Sequence, residues 1–223
     1  NNQVAQEGDI IFAALTNRGK RYAYGRMPQA DGSHSYFDAN GQSVQRLLMR
    51  TPVDGARLSS RFGMRRHPIL GYTRLHRGLD FAAPKGTPIY AAGDGTIQRL
   101  GRFGNNGKYI RIKHRNGYET AYAHMNSFAR RLKKGSRVKQ GQVIGTVGRT
   151  GLATGPHLHY EVLHYNKPVN PRELNVPPQR NLNADALEGL ARLKAETADR
   201  VSGLATSDNS VRSLPRRSSS LNR

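Results

Sequence analysis

Apolar and polar residues alternate in short runs along most of the chain, and glycine-rich turns cut the runs apart. A period of two is the pattern of half-buried strands. From about residue 52 to 178, the stretches 88–91, 95–100, 109–114, 118–124, 143–147 and 157–164 read as strands. Between them stand Gly93-Asp94-Gly95, Gly104-Asn105-Asn106-Gly107, Asn116-Gly117 and Gly135-Ser136. Asn-Gly between two alternating runs is the strongest hairpin signal a short sequence offers. The pattern predicts a mainly-β fold built on antiparallel sheet. Ahead of it, runs at 9–15 and 20–24 are broken by Asn17-Arg18-Gly19 and Asp31-Gly32, with a tight turn at Phe37-Asp38-Ala39-Asn40-Gly41. They predict a partial, β-rich module over residues 1–51, followed by the main domain at 52–178.

Beyond Pro177-Pro178 the period changes. Leu187, Leu190, Leu193, Val201 and Leu204 recur at helical spacing and predict an amphipathic helix over 186–204. Residues 206–223 are rich in Ser and Arg and poor in large apolar groups, so this part of the 179–223 extension is expected to stay disordered.

Composition adds one strong constraint. The 223 residues carry a net charge of +21 with 36% hydrophobic content, which calls for polyanionic surroundings. Nucleic acid, anionic lipid and cell-wall polymer all qualify. The basic residues are dispersed and no nucleic-acid-binding motif stands out, so nucleic acid is not expected as a partner. With no cysteine, disulfides and thiolate metal sites are excluded. No apolar run reaches the roughly 18 residues of a membrane-spanning helix. The chain opens on Asn1 rather than Met, and its apolar run at 10–15 is too short for a signal-peptide core. Any export signal is expected to be missing from this sequence.

The chemistry concentrates in His76-Arg77-Gly78-Leu79-Asp80, Tyr122-Ala123-His124 and His157-Leu158-His159. A catalytic zinc takes three protein ligands and leaves one position open, and this inventory provides three ligands with two imidazoles to spare. Gly78 and the following Phe81-Ala82-Ala83-Pro84 disfavour a helix, so His76 and Asp80 are expected on a bent segment. Strand alternation places His157, His159 and Glu161 on one face and Leu158, Tyr160 and Val162 on the core face. Imidazoles about 7 Å apart along a regular strand do not readily share one metal, so one is expected as ligand and the other as neighbour. The same alternation puts Tyr118, Thr120, Tyr122 and His124 on one face. His34, His114 and His164 fit surface or core roles. His67, before Pro68, is left open as part of a loop that could border the site.

In order along the chain, Arg61-Phe62-Gly63, His76-x-x-x-Asp80, Gly93-Asp94-Gly95, Tyr122-Ala123-His124 and Thr154-Gly155-Pro156-His157-Leu158-His159 resemble the lysostaphin/LytM family of zinc metallopeptidases. These enzymes cleave peptide bonds of bacterial peptidoglycan. The resemblance covers about residues 54–175. It implies a β-sandwich/barrel hybrid with an open groove, Zn²⁺ as cofactor, His76, Asp80 and His159 as its ligands, and His124 and His157 as catalytic groups beside the bound water. It also implies peptidoglycan as partner and a periplasmic or envelope location. The module before residue 52 resembles the one that precedes the catalytic domain in Gram-negative envelope endopeptidases, which tilts the expected substrate towards D-alanyl–diaminopimelate cross-links. The turn Gly104-Asn105-Asn106-Gly107-Lys108-Tyr109 departs from the family's compact Gly-x-Gly-Asn-Tyr and is expected to reshape a groove wall. Arg61, Arg65, Arg66, Arg74 and Arg77 cluster near the site in sequence, either to guide an anionic glycan-peptide or as a generally basic face. The alternative function is a non-catalytic scaffold or activator of wall amidases. Such relatives typically lose metal ligands, whereas all five positions are filled here.

Overall fold

The computed structural model describes residues 8–29, 32–66 and 71–211. His67, the Asp31 part of the first-module turn and the tail from 212 onward lie outside the described residues. The chain divides into two compact units, one of residues up to 45 together with those from 178, the other of residues 46–177.

The first unit is a three-stranded antiparallel meander of β1 (Phe12–Asn17), β2 (Lys20–Pro28) and β3 (His34–Phe37) with the helix α1 (Ala184–Val211). Asn17 pairs with Lys20 across Arg18-Gly19, both with positive φ, the two-residue hairpin loop whose twist suits antiparallel strands. Asn183 caps α1 by accepting the Ala186 amide at 3.0 Å. Leu190 is buried where Gly25 of β2 comes so close that a Cβ on Gly25 would overlap it. The helix begins two residues before the predicted 186–204 and runs through 211, which corrects the disordered reading of 206–211. That stretch contains poor helix formers but neither Gly nor Pro, and extending an existing helix costs only tenths of a kcal/mol per residue, on the order of 0.5.

The second unit contains β4 (Arg57–Ser60), β5 (Gly63–Arg66), β6 (Thr73–His76), β7 (Leu79–Ala82), β8 (Pro88–Tyr90), β9 (Gly95–Arg102), β10 (Lys108–Lys113), β11 (Tyr118–Phe128), β12 (Arg137–Val138), β13 (Val143–Val147), β14 (His157–His164) and β15 (Lys167–Val169). Ten of them form one antiparallel sheet with the path β12-β9-β10-β11-β14-β7-β4, while β5 and β6 make a separate hairpin. At its centre β11 and β14 pair from Tyr118↔His164 to Ala123↔His159. Leu158, Tyr160 and Val162 enter the core with Tyr122, Ile110, Ile112 and Ile144, and the alternate residues of β14 are left to the opposite face.

The core includes a one-directional polar chain. The Ala92 amide donates to the Tyr122 hydroxyl (2.7 Å), Tyr122 to Thr120 Oγ1 (2.9 Å), Thr120 to His114 Nε2 (2.7 Å), and His114 Nδ1–H to the Asp94 carbonyl (2.8 Å). A proton on His114 Nε2 would reverse the Thr120 link and leave the Tyr122 hydroxyl hydrogen without an acceptor. Burial holds the His114 imidazole below its usual value, against the pull of the Asp94 carbonyl. The unfolded chain therefore binds more protons, and this contribution to stability is complete above about pH 6.5 and lost as pH falls through the folded value. Urea midpoints of chelator-treated protein between pH 7.5 and 5.5 are expected to fall less steeply in His114→Gln than in wild type. The two slopes should differ by up to about 1.4 kcal/mol per pH unit. Parallel slopes would show that His114 is not held neutral.

Candidate metal centre

The segment between β6 and β7 brings two chemically different ligands to one point. His76 ends β6, Asp80 lies on β7, and Arg77-Gly78 carries the chain between them, a bend rather than a helix. β7 pairs with β14 so that Asp80 lies opposite His159. His76 Nε2, Asp80 Oδ1 and His159 Nδ1 converge, with separations of 3.1 Å (His76–Asp80), 3.1 Å (His76–His159) and 2.7 Å (His159–Asp80).

The outer nitrogens decide which atoms face inward. His76 Nδ1–H donates to the Arg61 carbonyl at 2.7 Å, and His159 Nε2–H to Glu161 Oε1 at 2.9 Å. Each imidazole is thereby set in the tautomer that aims a lone pair at Asp80. Three acceptor atoms with no hydrogen among them repel at such distances, so the cluster needs a cation at its centre. A proton is the minimal one. Burial alone would lower His159, but its hydrogen bonds to Asp80 and Glu161 outweigh this and hold it up, at about 9. Burial would likewise raise Asp80, but the same His159 and His76 contacts keep it well below the usual carboxylate range. Two imidazoles and a carboxylate on one side, each with its outer atom anchored, are a donor set suited to a borderline divalent metal, which would displace that proton.

Two further imidazoles complete the cluster. His157 Nδ1–H donates to the Gly155 carbonyl at 2.9 Å, and Nε2 stands 4.0 Å from Asp80 Oδ1. His124 Nδ1–H donates to the Thr150 carbonyl at 2.8 Å, and its ring centroid lies 4.7 Å from that of His157 and 6.0 Å from that of His159. Burial pushes His124 down to about 4, the neighbouring His157 and His159 adding to the effect while the Thr150 carbonyl opposes it. At neutral pH it is an uncharged acceptor.

The predicted face of His124 is corrected. Tyr122 pairs with Tyr160 on the core face, and plain alternation would have put His124 there too. His124 instead takes φ 59, and β11 changes register beyond it to pair with β13 from Met125↔Val147. A left-handed residue at such a break turns the side chain across the sheet. The result is an imidazole beside His157 and His159.

These residues form the floor of an open groove of about 460 Å³. One wall is the departing turn. Gly107 and Gly151 approach backbone to backbone, each with positive φ and no room for a Cβ, and Asn105 and Asn106 line the groove. Thr150 ties this wall to His124, because its hydroxyl receives the Lys108 amide (2.9 Å) and donates to the Met125 carbonyl (2.8 Å).

Sequence reasoning placed Glu161 on the right face without assigning it work. Its contact with the outer nitrogen of His159 makes it the group that fixes that ring. Glu161→Gln is expected to weaken metal affinity by about 10–100-fold, read by competition with a chromogenic chelator. Unchanged affinity would leave Glu161 without a part in orienting His159.

Residues 74–171 match peptidase family M23. Peptidoglycan DD-endopeptidase ShyC of Vibrio cholerae serotype O1 is 42% identical over 205 residues, 90% of this chain and 46% of that protein. Peptidoglycan DD-endopeptidase ShyA of the same organism is 44% identical over 172 residues, 76% of this chain and 38% of its own length. The chain thus spans less than half of these relatives. The crystal structure of a zinc-containing peptidase from Vibrio cholerae has a TM-score of 0.56 at 35% identity, covering 76% of this chain and 51% of that one. With the motifs in order, the antiparallel scaffold and the convergent donors, the unit of residues 46–177 carries a peptidase family M23 domain.

Proposed function

We propose that the chain is a zinc-dependent endopeptidase that hydrolyses peptide cross-links of bacterial peptidoglycan, the D-alanyl–diaminopimelate link in particular, in the periplasm or cell envelope. The convergence of His76 Nε2, Asp80 Oδ1 and His159 Nδ1 on the floor of an open groove, beside two imidazoles that are not part of the triad, carries this reading. The relatives named as peptidoglycan DD-endopeptidases support the substrate class. The net charge of +21 suits a wall whose stem peptides carry carboxylates.

His76, Asp80 and His159 would hold the zinc. Bound there, zinc supplies Lewis-acid activation of water and polarisation of the scissile carbonyl. The remaining chemistry falls to His157 and His124. Both have Nδ1 committed to a backbone carbonyl, so both offer only Nε2 to the groove. His124 is pushed down to about 4 and holds a proton poorly at neutral pH. His157, nearer the groove surface, takes the proton of the attacking water and returns it to the leaving amine. His124 Nε2 accepts a hydrogen bond and orients the water or the amide being cut.

The test is zinc content combined with mass-spectrometric digestion of purified cross-linked peptidoglycan, with and without a chelator. Bound zinc and chelator-sensitive conversion of dimeric to monomeric stem peptides are expected. Bound zinc with no cleavage of any cross-link would overturn the reading.

A further inference from the structure

The β5–β6 hairpin sets Arg65 directly opposite Arg74. Directly opposed residues of an antiparallel pair project from the same face, and like charges so placed weaken the pairing. Both arginines line the groove that holds the five-residue cluster. The acidic groups there do not balance them. Glu161 is engaged by His159, and Asp80 Oδ1 by His76 and His159, which leaves Asp80 Oδ2 to take a single bond from Arg65 Nη2 at 3.2 Å. Arg65 Nε is buried with no hydrogen-bond partner, an orphaned donor of a kind that ordinarily has a mate. Arg74 is exposed and makes no ion pair among the described residues. Two guanidinium groups lining the same groove form a receptor for a planar anion.

We infer that Arg65 and Arg74 together bind a substrate carboxylate next to the scissile amide and make the enzyme selective for it. This rests on the endopeptidase reading and names the specificity element of the same site. The contact between Arg65 and Asp80 puts the receptor beside the reacting centre, so the anion it takes must lie close to the bond being cut. In a D-alanyl–diaminopimelate link the acyl side offers only the alanine methyl at that distance. The amine side offers a carboxylate on the very carbon that bears the scissile nitrogen. That carboxylate is the ligand the pair fits. A bridge of glycines has no such group.

The test uses the zinc-loaded chain and two synthetic dimeric stem peptides that differ only there, one with the free carboxylate and one with the carboxamide. Wild type is expected to prefer the carboxylate peptide in kcat/KM by about 10–100-fold, the range of a charge-assisted fork interaction. In Arg74→Gln that ratio is expected to fall close to one, with bound zinc unchanged. Arg65→Lys, which keeps the charge but not the fork, should lower the ratio to an intermediate value. Equal kcat/KM for the two peptides in wild type, or an unchanged ratio in Arg74→Gln, would overturn the subsite while leaving the endopeptidase intact. Cleavage of neither peptide by zinc-loaded wild type would overturn both.

Discussion

His157→Ala is expected to lower turnover of cross-linked stem peptides by about 10²–10⁴-fold, the usual worth of general acid–base help, with bound zinc still close to stoichiometric. His159→Ala is expected to lose zinc and turnover together. The two histidines are separated by one residue on one face of β14, yet the roles proposed for them differ. His159 Nδ1 lies 2.7 Å from Asp80 Oδ1 and 3.1 Å from His76 Nε2, inside the triad of donors. His157 Nε2 stands 4.0 Å from Asp80 Oδ1, outside that triad but lining the same groove. Removing His159 also strands Glu161, a carboxylate that loses its partner on the groove floor. Metal content by atomic absorption and single-turnover hydrolysis separate the roles. Full turnover in His157→Ala, or loss of zinc from it, would show that the division of labour is wrong. His124→Ala belongs to the same series and should retain zinc, since His124 reaches the cluster only through its neighbours' rings.

The sequence made this division partly visible because β14 is a regular strand. Period two alone puts His157, His159 and Glu161 on one face and Leu158, Tyr160 and Val162 in the core, and the burial of the strand obeys it from His157 to Val162. The long strands β9, β10, β11, β13 and β14 were legible for the same reason. The strands β4, β5, β6, β7, β12 and β15 have only two to four residues each, too few for a period to emerge from composition. Their positions are dictated by partners distant in sequence, as β7 is by β14. His124 escaped the pattern altogether. Its face depends on a left-handed backbone at the point where β11 exchanges β14 for β13, and no local signal in Tyr122-Ala123-His124 announces it. The cluster of arginines was visible as charge, but only the register of β5 on β6 singles out Arg65 and Arg74 from Arg61, Arg66 and Arg77. In α1 the apolar spacing located the helix, whereas its end could not be read from a serine-rich composition lacking a stop residue.

Gly78→Ala, a change of one methyl group that touches no donor atom, is expected to reduce zinc affinity by about as much as removing an outer-shell ligand partner, 10–100-fold or more, and to destabilise the fold by about 1–3 kcal/mol. His76 and Asp80 belong to strands of different sheets, and the chain can bring them to one point only by turning tightly through Arg77-Gly78. There Gly78 presses against β14. A Cβ at this position would meet backbone atoms, the carbonyl oxygen and carbon of Tyr160, and then the Glu161 side chain at 3.1 Å. Backbone in the middle of a sheet does not rotate away as a side chain would, so relief requires β14 and the β6–β7 bend to move apart. Tyr160 directly follows His159, and Glu161 holds the outer nitrogen of that ring. The displacement therefore falls on the contact between His159 and the His76–Asp80 pair, whose donor atoms stand no more than 3.1 Å apart. Gly155→Ala is the matched control, because Gly155 lines the same groove but has no heavy atom within 4 Å of an added Cβ. Chelator competition and urea unfolding on both variants read the effect. Wild-type zinc affinity in Gly78→Ala would mean that the bend yields without moving the ligands, and that the glycine is not what brings the two halves of the site together.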